Sequence, residues 1–369
     1  LRNAPKTLPL IGVIVLAVML IAGIVSIMNS IPLSIRTTYG YSKAYLGMTP
    51  RGDNEATPKI RQVIETESPV PLERLVVCRV TDMQVKSIVG PWRFALLGLP
   101  EDQMQWYLDR IGKGRLEGRL PAPGAAEALI SEPVARNLGK RLGDTLLSPD
   151  DSDSFSPHPV KIVGLVHMEP WLAFSSYEYL QANHFPPVDV LIAAAKTPAD
   201  QERLDRWANE RFKGEQARVF AYFLLEKETD EMFKILYSIL NVVIGLLVVV
   251  ITVMMAMLMN IYQSQRLQEF GLLQALGYTK GALLARALAE SALVVLAGWL
   301  LGVVCAFGLL TLVRAILMEP RAFMLDPWDK TAYLYTAPVP VSIFLAAALT
   351  VMARFRRFDP VGVVERRLV

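Results

Sequence analysis

Between Lys234 and Arg266 no residue carries a charge over roughly 30 positions, and between Glu290 and Arg314 none over roughly 23. At 1.5 Å rise per residue either run is long enough to cross a hydrocarbon core of about 30 Å. Two further apolar runs, Leu8 to Met28 and about Leu334 to Ala353, reach the same length. The four together take up roughly a quarter of the chain. Hydrophobic residues are 53% of the sequence, too many for an ordinary soluble domain, and the runs say where the excess sits. A membrane protein with four helical spans is expected, with the second span at about 235–260, the third at 291–313 and the fourth at 334–353.

The polar interlude between the second and third spans, Met259 to Glu290, is not written like a loop. Leu267, Phe270, Leu273 and Leu276 recur at three-residue steps among Arg266, Gln268, Glu269 and Gln274. Gly277 sits where a left-handed helix stop is wanted, and Thr279 is placed to cap the next helix. The spacing predicts a short amphipathic helix, a glycine break and a second helix entering the third span.

Arg266, Glu269, Gly271, Leu273, Ala275, Leu276, Gly277 and Glu290, followed by Gly298 and Gly302, resemble the FtsX/MacB-type (type VII) permease family of ABC transporters. Phe270 stands where that family has an aliphatic residue, Gln274 where it has a basic one and Tyr278 where it has a small one. The resemblance covers Glu231 to Arg366. It implies that segment 261–290 is a coupling segment in which Arg266, Glu269, Phe270, Gly271, Leu273, Ala275, Leu276 and Gly277 dock on a separate cytoplasmic ATPase. Gly298, Gly302 and Ala306 share one face of the third span, and small residues at that spacing let two helix backbones approach closely. The same reading expects a dimer with a second copy or a paralogue across this face.

Net charge is +3, too small to argue for nucleic acid; the placement of charge says more. Arg2 and Lys6 precede the first span, and Arg266, Lys280 and Arg286 separate the second from the third. Arg354, Arg356, Arg357, Arg366 and Arg367 follow the fourth. The connection from third to fourth carries Glu319, Arg321, Asp326, Asp329 and Lys330, with acids in excess. By the positive-inside rule both termini and the coupling segment are cytoplasmic, and the long segment 29–230 lies outside. A bacterial inner membrane, contact with lipid and a periplasmic adaptor as further partner go with the same resemblance. The first run lacks a small-residue cleavage pattern and is expected to stay as an anchor, so residues 1–28 form the N-terminal segment and first span. Cys78 and Cys305 fall in different compartments and make no disulfide framework.

Segment 29–230 is long enough to bury its own core. Strand-like runs are Leu75–Val85, Arg93–Leu97, Ala128–Ile130, Asp144–Leu147, Val160–His167 and Val188–Ala195. Helical spacing marks Glu101–Arg110, Glu132–Leu138, Ser176–Ala182 and Ala199–Phe212, with Ser131 and Thr197 as N-caps and Gly139 as a stop. Without a regular βαβ rhythm, an α+β domain is expected, inserted between the first and second spans. The stretch from Ala128 to Val166 resembles the periplasmic core domain of the same permeases. Residues 231–369 would then form the FtsX-like permease domain.

Candidate chemistry is sparse. Asp150, Asp151 and Asp153 lack the glycine turn and distal glutamate of a calcium loop, and a solvated turn is the better reading. His158, His167 and His184 are far apart and have no metal-ligand spacing. His167, Trp171, Phe174, Tyr177 and Tyr179 form either a partner-facing surface or core. Met254, Met255, Met257 and Met259 read as packing. No span carries a charge at its centre and no phosphate-binding glycine loop occurs, so neither an ion-coupled path nor nucleotide binding is expected. No cofactor, metal or catalytic residue is expected, and the chain is not read as an enzyme. Its work must be energised by a partner ATPase, for export, efflux or lipoprotein and lipid extraction. The alternative is a non-transporting protein that transmits motion to an extracytoplasmic partner such as a cell-wall hydrolase.

Overall fold

The computed structural model describes residues 4–87, 90–112, 114–183, 185, 189–215 and 217–356. Arg2, His184, Val188, Arg357, Arg366 and Arg367, all used above, lie outside the described residues, as do the side chains of Lys6, Leu267, Gln268, Arg354 and Arg356. The chain divides into two compact units, one of residues 31–232 and 317–324, the other of 1–30, 233–316 and 325–369.

The first unit is organised by one mixed sheet. Its strands are β1 (Leu46–Thr49), β2 (Leu72–Ser87), β3 (Gly90–Leu99), β4 (Arg115–Gly118), β5 (Glu127–Ser131), β6 (Thr145–Leu147), β7 (Val160–His167), β8 (Ala173–Ser176), β9 (Asp189–Ala195) and β10 (Arg218–Phe220). They lie in the order β10-β1-β9-β2-β3-β8-β5-β7-β4, with β6 paired to β7. Among the described strand pairs only β3/β8 and β5/β7 are parallel. The helices are α2 (Thr57–Glu67), α3 (Glu101–Ile111), α4 (Glu132–Leu138), α5 (Tyr177–Ala182) and α6 (Pro198–Arg211). Ile60 and Ile64, one turn apart on α2, join Leu204 and Ala208 of α6 in covering Leu191, Ala193 and Ala195 of β9.

Caps decide several helix ends. Thr197 caps α6, its Oγ1 accepting from the Asp200 amide at 3.1 Å. Gly139 ends α4 at φ +69°. Ser131 holds the N-cap position of α4, but its Oγ accepts from Leu172 N at 3.0 Å and makes no cap bond. Long-range sheet closure has taken the oxygen that local spacing assigned to the helix. Three members of the aromatic cluster are core, Trp171, Phe174 and Tyr179 being each at most 2% exposed, while His167 and Tyr177 are half-buried. Phe94 meets Trp171 and Tyr107 meets Phe174 edge-on, with ring centroids 6.0 and 5.1 Å apart.

The second unit is helical. It holds the greater part of α1 (Ala4–Thr38) and of α7 (Tyr222–Gln265), with α8 (Leu267–Ala275), α9 (Lys280–Val313), α10 (Lys330–Leu334) and α11 (Pro338–Arg356). Among the described residues, four helical stretches are long and apolar enough to cross a membrane: Thr7–Thr38, Tyr222–Gln265, Lys280–Arg321 and Lys330–Ala353. The second is longer than its apolar run, since 44 residues of α-helix extend about 66 Å. Ile14 and Ile21 of α1, Ile251 and Met255 of α7, Val295 of α9 and Ile343 of α11 share one buried interior. Two polar pairs lie in this unit: Thr252 with Ser342 at 2.8 Å, and Trp299 Nε1 to Thr336 Oγ1 at 3.0 Å.

Candidate functional site

The predicted coupling segment folds as helix, break, helix. α7 ends at Gln265, and α8 starts at once as the Phe270 amide donates to Arg266 O at 3.1 Å. Its end is a Schellman turn: Gly277 N donates to Gln274 O at 3.0 Å and Tyr278 N to Leu273 O at 3.2 Å. Gly277 supplies the positive φ this turn needs, +97°. Thr279 Oγ1 then accepts from Ala282 N at 3.3 Å and opens α9.

Arg266 is the hinge pin of the segment. Its side chain is 11% exposed. Nη1 bonds Glu290 Oε2 on α9 at 2.5 Å, and Nε bonds Glu269 Oε2 at 3.1 Å. Tyr262 on α7 completes the group, donating to Glu290 Oε1 at 3.1 Å. The guanidinium also lies 5.5 Å from the ring centroids of both Tyr262 and Phe270. One arginine therefore joins the end of α7, the first turn of α8 and the body of α9. Tyr262 went unnoticed in the sequence, because nothing marks the last turn of an apolar helix as part of a polar cluster.

The expected docking residues fall on two sides of α8. Phe270 is 3% exposed and packs with Leu283 and Ala287 of α9 and Val351 of α11. Leu273 packs against the same cluster, and Gly271 is buried. Glu269, Ala275, Leu276 and Gly277 are exposed. Leu272, outside the expected set, is 67% exposed and Leu276 72%. The outward apolar surface of this turn is thus Leu272, Ala275 and Leu276 with Tyr278 beside them. The stripe of Phe270 and Leu273 is spent on holding α8 to its own chain.

The glycine face of α9 also finds its partner inside the chain. A Cβ on Gly298 would stand 3.1 Å from Ile14 Cβ, and one on Gly302 only 2.8 Å from Val18 Cβ and 3.2 Å from Val15 Cα. Ala306 is 1% exposed on the same face. Within the chain, α1 lies on the face of Gly298 and Gly302 where a second copy was expected. Small residues fit it because two backbones approach there too closely for a side chain.

Elsewhere, Asp151 Oδ1 accepts from the amides of Asp153 and Ser154, both at 3.0 Å, as in an Asx turn. His167 at the end of β7 lies between two carboxylates, Glu117 Oε2 at 3.0 Å and Glu132 Oε2 at 3.1 Å. The bond to Glu117, then that to Glu132, raises its pKa above the ordinary value. Met255 and Met259 are buried while Met254 and Met257 are exposed, so the methionines share no single surface.

Residues 241–355 match the family model described as FtsX-like permease C-terminal. The resemblance read from Arg266 to Gly302 thus lies within a matched segment that holds α8, its glycine stop, Glu290 and the glycine face. The match supports a permease component of an ABC transporter. Among solved structures, the chain is similar to the periplasmic region of MacB from Actinobacillus actinomycetemcomitans, at 10% identity and TM-score 0.29, covering 51% of this chain and 92% of that one. It is also similar to the extracellular domain of the noncanonic ABC-type transporter YknZ from Gram-positive bacteria, at 18% identity and TM-score 0.28, covering 48% and 98%. A domain of a putative permease protein from Porphyromonas gingivalis is similar too, at 15% identity and TM-score 0.24, covering 48% and 89%. No curated protein matches.

Proposed function

We propose that this chain is the membrane permease subunit of an ABC transporter whose ATPase is a separate cytoplasmic protein, and that α8 is the element the ATPase grips. The observation that carries the reading is the coincidence of the family match over 241–355 with a helix built to transmit force. α8 is not a free loop. Arg266 pins its start to Glu290 of α9, and Phe270 plugs it into α9 and α11. A push on the outward residues Leu272 and Leu276 would be carried to both helices at once. The Gly298 and Gly302 contact passes the movement on to α1. In this reading, closing of an ATPase dimer would move the sheet unit, which the reading places outside the inner membrane. Energy reaches the outside as motion, for export, efflux or extraction of a lipid or lipoprotein. The permease acts with a second permease subunit, whose contact surface is other than the glycine face.

The test is gentle purification of the full chain with the ABC ATPases of its own cell, followed by ATP hydrolysis in lipid nanodiscs. The reading expects a stable complex whose hydrolysis depends on the permease. An ATPase that neither co-purifies nor changes its rate when the permease is present overturns it.

A further inference from the structure

A cavity of about 510 Å³ opens in the sheet unit where the end of β2, the last turn of α4, the turn at 150–154 and Arg321 meet. Its volume is in the range of small-ligand sites. The floor is apolar, with Met83, Val85 and Leu146 at 1%, 4% and 3% exposure. Two cationic side chains, Lys86 and Arg321, line it, and neither has an ionic or hydrogen-bonding partner for its charged end among the described residues. Lys140 also lines it, but its Nζ is engaged by the carbonyls of Thr145 and Leu146.

Both cationic residues are held by one buried side chain. Asn137, 1% exposed, accepts from Lys86 N at 2.8 Å and donates to Lys86 O at 2.9 Å and to Arg321 O at 2.8 Å. A buried carboxamide with all these bonds made fixes the backbone from which each cation projects. The acidic part of the lining is fixed in the same way. Ser154 Oγ accepts from Gln84 N on β2 at 3.1 Å, and the Asx turn of Asp151 sets Asp153 beside it. Asp151 and Asp153 therefore share the cavity with Lys86 and Arg321 without being paired to them.

Cations alone would select an anion, and acids alone a cation. Unpaired charges of both signs over an apolar floor select a molecule that carries both. We propose that this cavity binds a small zwitterion with an apolar body, of the class of a short unblocked peptide. Its carboxylate would lie at Lys86 and Arg321 and its ammonium at Asp151 and Asp153. Polyanions such as nucleic acid are disfavoured by the acidic turn. The inference rests on the sheet unit alone and holds whether or not α8 meets an ATPase.

The test uses the full chain in lipid nanodiscs and trileucine as the probe, with its N-acetylated and C-amidated forms, read by titration calorimetry against empty nanodiscs. Saturable binding of free trileucine is expected, with each blocked form weaker by about tenfold or more. In K86Q/R321Q the affinity for free and N-acetylated peptide should drop by a similar factor, while the C-amide, already without a carboxylate, should change little. D151N/D153N should give the converse pattern. All four positions are exposed, so the variants should melt with the parent protein, and a melting control confirms it. No saturation up to about 10 mM, equal binding of all three peptides, or affinities indifferent to both variants would each overturn the proposal and leave the charges as a solvated rim.

Discussion

The guanidinium of Arg266 and the carboxylate of Glu290 meet at 2.5 Å across 24 residues of chain, tying the first turn of α8 to the body of α9. The pair is mostly shielded, at 11% and 33% side-chain exposure, so water replaces neither partner easily. Glu290→Gln keeps the shape and removes the charge. It should cost about 2 kcal/mol, the scale of a hydrogen bond to a charged group. Hydrogen exchange at 267–275 should quicken, and ATP hydrolysis should become uncoupled from function while the ATPase still binds. Unchanged exchange in that segment would show that the pair holds nothing.

Gly302 offers a test of the intrachain packing. Gly302→Ala should already lower the thermal midpoint of the helical unit, since a Cβ at 302 stands 2.8 Å from Val18 Cβ and 3.2 Å from Val15 Cα. Gly302→Leu should force α1 away from α9 and lower it further. An unchanged midpoint in both variants would show that α1 does not pack on this face.

His167 predicts a pH dependence in the sheet unit. Its bonds to Glu117 and Glu132 hold its pKa above the ordinary 6.5, so its contribution to stability is complete below that value and is lost as pH rises through the folded value. Glu132, bonded to His167, is held below the ordinary 4.5, and its contribution is lost as pH falls through the folded value. His167 and Glu132 therefore support β4 and α4 most strongly at about pH 5.5, between the two ordinary values. Arg115 on β4 opposes the imidazolium, and Arg136 on α4 shares Glu132. In thermal melts His167→Gln should lower the midpoint more at about pH 5.5 than at about pH 8.5. Equal losses at both values would make the ring a packing element only.

The features legible in the sequence were those under strict physical demands. A run of about 30 residues without charge has few uses besides a span, and a left-handed stop needs a residue such as Gly277. Where two local patterns competed, the sequence was mute. β4 is four mostly polar residues on a sheet edge, and β8 hides inside an aromatic cluster that reads equally as surface. α7 outruns its apolar core because charged residues such as Glu226 and Glu231 continue a helix as readily as leucine does. The orientation of α8 was hidden for a geometric reason. Phe270 and Leu272 point about 200° apart on a helix, and a nine-residue element with leucines on several sides does not say which side its own chain will cover.

Orientation in the membrane is open to direct labelling. Ser152 and Ser264 are both exposed, the first in the sheet unit and the second at the end of α7. In cells with a permeabilised outer membrane, a membrane-impermeant thiol reagent should reach a cysteine at 152 and not one at 264. Labelling at 264 from outside would reverse the topology drawn from the arginines and lysines.

The docking assignment can be separated from folding, because α8 presents different residues to each. Phe270 is buried among Leu283, Ala287 and Val351, so Phe270→Ala leaves a hole and should cost about 3 kcal/mol of stability. Its effect on coupling would be indirect. Leu272 and Leu276 are 67% and 72% exposed and contribute little to the fold. Leu272→Ser with Leu276→Ser should therefore leave the melting midpoint within a degree or two, on the order of the effect of ordinary surface changes. If the ATPase packs its own apolar residues on this surface, the same double variant should weaken the complex by roughly 2–4 kcal/mol. The measurement is the affinity of the purified ATPase for nanodisc-held permease, beside the melting curve of each variant. Gly277→Val is the third arm: at φ +97° a β-branched residue is strained, so the exit from α8 should turn and binding should fall even though no contact residue has changed. Full binding by the Leu272 and Leu276 variant would remove α8 from the interface, whatever Phe270→Ala does to stability.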